Sequence, residues 1–211
     1  MDNPFDFFDA IYCINLDKRK DRWDNVQSQF NKIGILDRVK RFSAIEEIDG
    51  RLGCIKSHLE IIKDSKSKKL KNVLIFEDDV IFVSENVNDV LKNVIDQLPN
   101  DWDMLYLGAN LHQPLLNYTK NLVRLLHAFS THAVSYNNKI FDFFINKYDN
   151  MKSVNSDYDI LDVWIAMNIQ PQGHTFLVKP LLATQMNDYS DIVKTNVDYS
   201  FIEERYKRFV R

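Results

Sequence analysis

Three consecutive acids, Glu77-Asp78-Asp79, follow directly on the apolar run Val73-Leu74-Ile75-Phe76. Carboxylates at the mouth of a buried strand repel one another and lose solvation unless a cation neutralises them. In extended chain, residues two apart share a face, so Glu77 and Asp79 can address one ligand together. Their oxygens suit hard divalent ions such as Mg²⁺ and Mn²⁺, and Mg²⁺ sites usually combine a few carboxylates with substrate phosphates. The same triplet also suits a strand-to-helix turn whose acids cap the next helix. A second group is Leu52-Gly53-Cys54-Ile55-Lys56-Ser57-His58. At a helix start, Gly53 and Cys54 would offer backbone N–H groups to phosphate, with Ser57 and His58 one turn further on. Cys54 and His58 stand four apart, which does not by itself assemble a nucleophile, a base and an orienting group. Packing for Cys54 and a hydrogen-bonded core position for His58 are the simpler expectations. The third group, Asn15-Leu16-Asp17-Lys18-Arg19-Lys20-Asp21-Arg22, reads either as a solvated helix start or as two arginines placed for a diphosphate.

These groups need elements to hold them. Ala10 to Leu16 is a nearly continuous apolar run that predicts a buried strand, and Trp23, Val26, Phe30 and Ile33 predict a helix ended by Gly34. A second strand is expected over Val39 to Ile45. Leu52, Ile55, Leu59 and Ile62 mark a second helix, with the lysine run Lys63 to Lys69 read as a solvated loop. Further strands are expected at Val73–Phe76, Met104–Leu107, Leu122–Leu126, Thr131–Tyr136 and Phe176–Val178. Helices are expected at Val87–Leu98, Asn138–Tyr148, Asp159–Ile169 (Ile160, Val163, Trp164 and Met167 on one side) and Phe201–Val210. Strands alternating with helices predict an α/β fold with a mostly parallel sheet, whose ligands bind beyond the carboxyl ends of the strands. That rule puts Asn15–Arg22, Glu77–Asp79 and Gly108–His112 on one rim.

Composition narrows the function. In 211 residues, 27 Lys+Arg against 30 Asp+Glu give a net charge of -3, which excludes a generally basic nucleic-acid binder. Five Gly and five Pro exclude linker-like or collagen-like character. Cys13 and Cys54 are too few for a disulfide scaffold or a four-ligand zinc site. No apolar run approaches the ~20 residues that span a bilayer. The first residues are acidic, unlike a signal peptide, and the last are not a retention signal, so a cytoplasmic chain or an excised domain is expected.

Taken together, the motifs resemble a known family. Ile11 to Arg22 is similar to the opening (I/V)xxINLxxRxxR of glycosyltransferase family 25, which holds bacterial lipopolysaccharide β-galactosyltransferases and procollagen galactosyltransferases. Gly53-Cys54-Ile55-Lys56-Ser57-His58 resembles its GCxxSH signature, and Leu74 to Val80 its xLxxEDDV. Leu107-Gly108, Thr131-His132-Ala133, Leu161-Asp162 and Tyr189-Ser190-Asp191-Ile192 follow in the family's order, so the resemblance covers about residues 10 to 192. Asn110-Leu111-His112-Gln113 has no counterpart in the family pattern.

The resemblance implies one GT-A (Rossmann-like) nucleotide-sugar-binding domain over residues 1–211. It implies a UDP-sugar donor, a Mn²⁺ or Mg²⁺ ion, and transfer of galactose or glucose to a hydroxyl of a glycan or of collagen-like hydroxylysine. On that reading Asp79 ligates the metal, Glu77 supports it, and Asp191 completes the metal or diphosphate site, with Gln185 and Asn187 as its alternatives. Asp78 faces the donor ribose; Asn15, Arg19 and Arg22 line the nucleotide side; Ala44 approaches the base; Ser57 and His58 support the donor. An inverting transfer needs one general base, which the resemblance assigns to Asp162, with Asp159 as the rival. Two other classes use the same acids or the same fold: a catalytically inactive sugar-nucleotide or partner-binding module, and a nucleotidyltransferase or phosphohydrolase.

Overall fold

Residues 3–210 are described by a computed structural model; Met1, Asp2 and Arg211, part of the two ends read above for leader and retention signals, lie outside the described residues. In chain order the strands are β1 (Ala10–Asn15), β2 (Val39–Ser43), β3 (Asn72–Glu77), β4 (Val80–Phe82), β5 (Met104–Tyr106), β6 (Asn110–Leu111), β7 (Leu116–Asn117), β8 (Leu122–Arg124), β9 (Ala128–Phe129), β10 (Ala133–Asn137), β11 (Thr175–Val178), β12 (Ala183–Gln185), β13 (Asp188–Ser190) and β14 (Thr195–Val197). The α-helices are α1 (Lys20–Lys32), α2 (Gly50–Ser67), α3 (Val87–Gln97), α4 (Phe141–Tyr148), α5 (Leu161–Asn168) and α6 (Phe201–Phe209).

Eight strands form the central sheet in the order β2-β1-β3-β10-β5-β11-β8-β7. Six share one direction, while β10 and β8 run against them. The alternation of side chains in β1 explains why both faces must be covered. Ala10, Tyr12 and Ile14 join a core with Ile55 and Leu59 of α2, Phe144 of α4 and Trp164 of α5. Ile11 and Cys13 join a second core with Val26 and Phe30 of α1 and Leu91 and Val94 of α3. The fold is therefore α/β with helices on both faces of a mostly parallel sheet. Among the described residues, no helix is long and apolar enough to cross a membrane.

Three expectations change. The lysine run is not a loop: α2 continues to Ser67, because Ile61, Ile62 and Ser65 keep its buried face going while Lys63 and Lys66 turn outward to Asp149 and Asp142. The same helix starts at Gly50, capped by Asp49, so Gly53 is already bonded to the Asp49 carbonyl and presents no free amide to a phosphate. Finally, α5 buries Leu161, Trp164 and Ile165, and Met167 is half exposed, because the helix begins after a separate turn at Asp157–Asp159.

Candidate active site

β1 and β3 lie side by side in parallel, so their carboxyl ends deliver Asn15 and Glu77-Asp78-Asp79 to one edge. Asn15 donates from Nδ2 to Asp78 Oδ2 at 2.6 Å and accepts at Oδ1 from Arg41 at 2.8 Å. The buried Arg22, on the first turn of α1, donates to Asp78 Oδ1 at 2.9 Å, to Asp188 at 3.1 Å and to the Tyr189 carbonyl at 2.9 Å. Both Asp78 oxygens are thus engaged with Asn15 and Arg22. Burial raises the Asp78 carboxyl even against these partners. Asp79 differs. Its Oδ2 accepts from Gln185 at 3.1 Å, but its buried Oδ1 has no partner. Burial, and then the charge of Glu77, push the Asp79 carboxyl up to about 7. Glu77 accepts from the Thr131 hydroxyl at 2.7 Å and faces His58 Nε2 at 3.6 Å. Burial raises its carboxyl, and the His58 ring and the Thr131 hydroxyl outweigh that, leaving it below the usual range.

The wall opposite is α2 and the segment leading into it. Ser57 donates to the Gly53 carbonyl and accepts from the Ile45 amide, so it pins residues 44–46 onto the helix. Gly53 is required there: a Cβ would stand 2.5 Å from the Ile45 carbonyl oxygen. Ala44 donates its N–H to the Asn15 carbonyl at 3.0 Å. His58 is fully buried, with Nδ1 3.1 Å from the Tyr136 hydroxyl.

These residues enclose a cavity. Its lining includes Arg22, Ala44, Ser57, His58, Glu77, Asp78, Asp79 and Asp191, all singled out in the sequence. Asn15 and Arg19 are not on the wall. Asn15 acts through Asp78, and the Arg19 guanidinium is taken up by Asp21, Asp188 and Asp191 at 2.9, 2.7 and 2.6 Å. Asp191 is therefore drawn to Arg19. It does not converge with Glu77 and Asp79: among the described residues, the metal-capable group whose ligand atoms lie within 4.8 Å of one another is Cys54, His58 and Glu77. Cys54, expected from the sequence only as packing, also lines this wall; Lys18 was read only as part of its motif, and sequence reading did not reach Tyr199 on the wall or Asp188 behind it. The Gly108–His112 segment does not line the cavity. Gly108 packs so tightly that a Cβ would be 2.0 Å from the Ala183 carbonyl oxygen, and Asn110 and His112 accept from Arg205 of α6.

A neighbouring cavity shares Cys54, Glu77, Gln185, Ser190, Ile192 and Tyr199 with the first, and adds Arg51, Ser130, Thr131 and Asp162. Asp162 accepts from the Ser130 and Val163 amides at 2.9 and 2.8 Å, and burial raises its carboxyl. Asp159 lines neither cavity; Lys147 binds it at 2.9 Å and holds its carboxyl below the usual range.

The profile of "Glycosyltransferase family 25 (LPS biosynthesis protein)" matches residues 4–201. The chain belongs to glycosyltransferase family 25. Human procollagen galactosyltransferase 2 is similar to this family 25 chain, at 28% identity over 134 residues, 50% of the chain and 21% of that protein. The human "Inactive glycosyltransferase 25 family member 3" is 27% identical over 136 residues, 51% of the chain and 23% of that protein. The chain spans about a fifth of the length of these two curated relatives. Among solved structures, a glycosyltransferase involved in glycosylation of the major capsid of PBCV-1 has a TM-score of 0.53 at 13% identity, over 80% of the chain and 79% of its own. That likeness concerns the fold. The family 25 chain thus has a GT-A-like α/β architecture.

Proposed function

We propose that the chain works as one GT-A-type domain and is a metal-dependent, inverting hexosyltransferase. It moves galactose or glucose from a UDP-sugar to a hydroxyl of a glycan or of a collagen-like hydroxylysine. The observation that carries this reading is the buried, unpartnered Oδ1 of Asp79 on a cavity that adjoins a second one holding Asp162. The residues fit a hard divalent ion, Mn²⁺ or Mg²⁺. Asp79 offers a free oxygen in an acid-crowded, desolvated place, and Glu77 stands beside it. Asp79 would hold the ion and Glu77 would support it, directly or through water. When bound, such an ion supplies a Lewis acid for the departing diphosphate.

The chain's own groups do the rest. Ala44 and Ile45 form the side wall for the base, Arg22 balances the buried acids, and Lys18 at the cavity's edge meets phosphate charge. In the second cavity, Asp162 takes the proton from the acceptor hydroxyl. That oxygen forms its bond to the anomeric carbon as the bond to UDP breaks and the electron pair leaves with UDP. Two backbone amides hold the Asp162 carboxylate in place, and its raised carboxyl makes it a better base than an exposed aspartate.

The inactive human relative keeps a second reading in view, in which the cavity binds a sugar nucleotide without transfer. Calorimetry with UDP in Mn²⁺ or in EDTA, followed by product analysis with UDP-galactose and UDP-glucose, separates the cases. Equal UDP affinity in both conditions removes the metal role. Metal-dependent binding without sugar transfer or donor hydrolysis leaves the binding module. Free nucleotide and sugar phosphate as products would make it a phosphohydrolase.

A further inference from the structure

Cys54, His58 and Glu77 come from two elements, α2 and β3, yet their Sγ, imidazole nitrogen and carboxylate oxygen lie within 4.8 Å of one another. All three line the first cavity. The ring of His58 is held from behind, Nδ1 to the Tyr136 hydroxyl at 3.1 Å, which directs Nε2 forward. That Nε2 is fully buried, has no hydrogen-bond partner, and stands 3.6 Å from Glu77 Oε1, too far for a hydrogen bond. Two ligands at ~2.1 Å from a tetrahedral ion stand ~3.4 Å apart, so this gap already has the width of a shared metal rather than of a direct contact. A ring nitrogen oriented through its other nitrogen is the usual arrangement of a metal-ligating histidine. Sulfur, imidazole and one carboxylate form a softer donor set than Glu77 with Asp79. They match Zn²⁺ with an open fourth position and match Mn²⁺ or Mg²⁺ poorly.

We propose that Cys54, His58 and Glu77 form a second, soft-metal site that takes Zn²⁺ and inhibits the enzyme by withdrawing Glu77 from the donor site. Binding releases the Cys54 thiol proton to solvent, and no redox step is involved. Tyr136 is a positioning residue behind His58. The site itself stands on the geometry alone; its inhibitory consequence rests on the donor-site reading given above.

The test uses the whole chain, stripped of metal, with Co²⁺ as a spectroscopic stand-in for Zn²⁺. Wild-type protein is expected to take one equivalent of Co²⁺ with a thiolate-to-cobalt charge-transfer band, and added Zn²⁺ is expected to displace it. Cys54→Ser should lose the band and Cys13→Ala should keep it, since Cys13 is buried in the opposite core. Absence of the band in wild type at saturating Co²⁺ overturns the proposal whether or not the variant folds, and so does its persistence in Cys54→Ser. Asp79→Asn separates the two readings, because it should abolish Mn²⁺-dependent UDP binding and leave the cobalt–thiolate band intact. With both sites in place, Zn²⁺ should weaken Mn²⁺-dependent UDP binding at least tenfold in wild type, and much less in Cys54→Ser. Equal weakening in both proteins overturns the inhibitory role.

Discussion

Replacing Asp79 with asparagine removes one charge from a desolvated cluster and keeps the side chain's shape. In the metal-free protein the Asp79 carboxyl is pushed from 3.8 to about 7, first by burial and then by Glu77. Below pH 3.8 it is protonated in both the folded and the unfolded chain. Between there and about 7 only the unfolded chain ionises, so stability falls as pH rises; above about 7 the loss is complete. At ~1.4 kcal/mol per tenfold change in proton affinity, the full loss comes to ~4 kcal/mol, of which ~3 kcal/mol falls between pH 5 and pH 8. The amide of the Asp79→Asn variant does not titrate. Urea unfolding of both proteins in EDTA at pH 5, 6, 7 and 8 should show the variant gaining on wild type by roughly that ~3 kcal/mol as pH rises, with equal m-values. At pH 8, Mn²⁺ should return stability to wild type, by ~2.7 kcal/mol at a hundredfold excess over its dissociation constant, and return little to the variant. Parallel pH curves would refute the reasoning, because they would mean that Asp79 is neither desolvated nor crowded by Glu77.

Asp162→Asn removes the basicity and keeps one of the two amide contacts, because Ser130 and Val163 donate to different carboxylate oxygens and asparagine has one acceptor oxygen. UDP-sugar binding should stay within a few-fold by calorimetry while transfer falls ~10²–10⁴-fold, and normal transfer would move the base elsewhere. Arg22→Ala strips the counter-charge from Asp78 inside the wall, and a loss of ~3–5 kcal/mol is expected in chemical unfolding at pH 7. Gly108→Ala sets a methyl against the Ala183 carbonyl, which is backbone and has no rotamer to yield, so a destabilisation of ~1–3 kcal/mol should lower the melting temperature.

The acidic edge of the first cavity was legible in the sequence because its signals are local. An apolar strand running into acids brings the triplet to the cavity, although β3 ends at Glu77 and a turn, not strand alternation, carries Asp78 and Asp79 there; the spacing of Val26 and Phe30 places α1 and hence Arg22. Contacts between distant segments were not legible. Asp188 and Asp191 meet Arg19 from the far end of the chain, and nothing in either segment announces the pairing, so Arg19 reads as a phosphate ligand until its partners are seen. The lysines of α2 misled for a different reason. A solvated face and a loop share a composition, and only the buried positions Ile61, Ile62 and Ser65 between them tell the two apart. Strand direction was hidden as well: Val134 and Tyr136 are as apolar as the parallel strands, yet β10 runs the other way.

That reversal has a consequence for residues 108–132. β5 leaves the sheet at the same edge where β10 enters it, and the Leu107 amide bonds the Ala133 carbonyl at 2.9 Å, so residues 108–132 depart and return through a single doorway. Between those two points the segment adds β8 and β7 to the far side of the central sheet, beyond β11. Its far end supplies Ser130 and Thr131 to the second cavity, whereas the first cavity is lined from residues 14–79 and 185–199. On the transfer reading proposed above, changes at Ser130 and Thr131 would reshape the second cavity, while the residues that line the first cavity lie outside this segment. Asn110 to Gln113, the stretch with no counterpart in the family pattern, lies inside it.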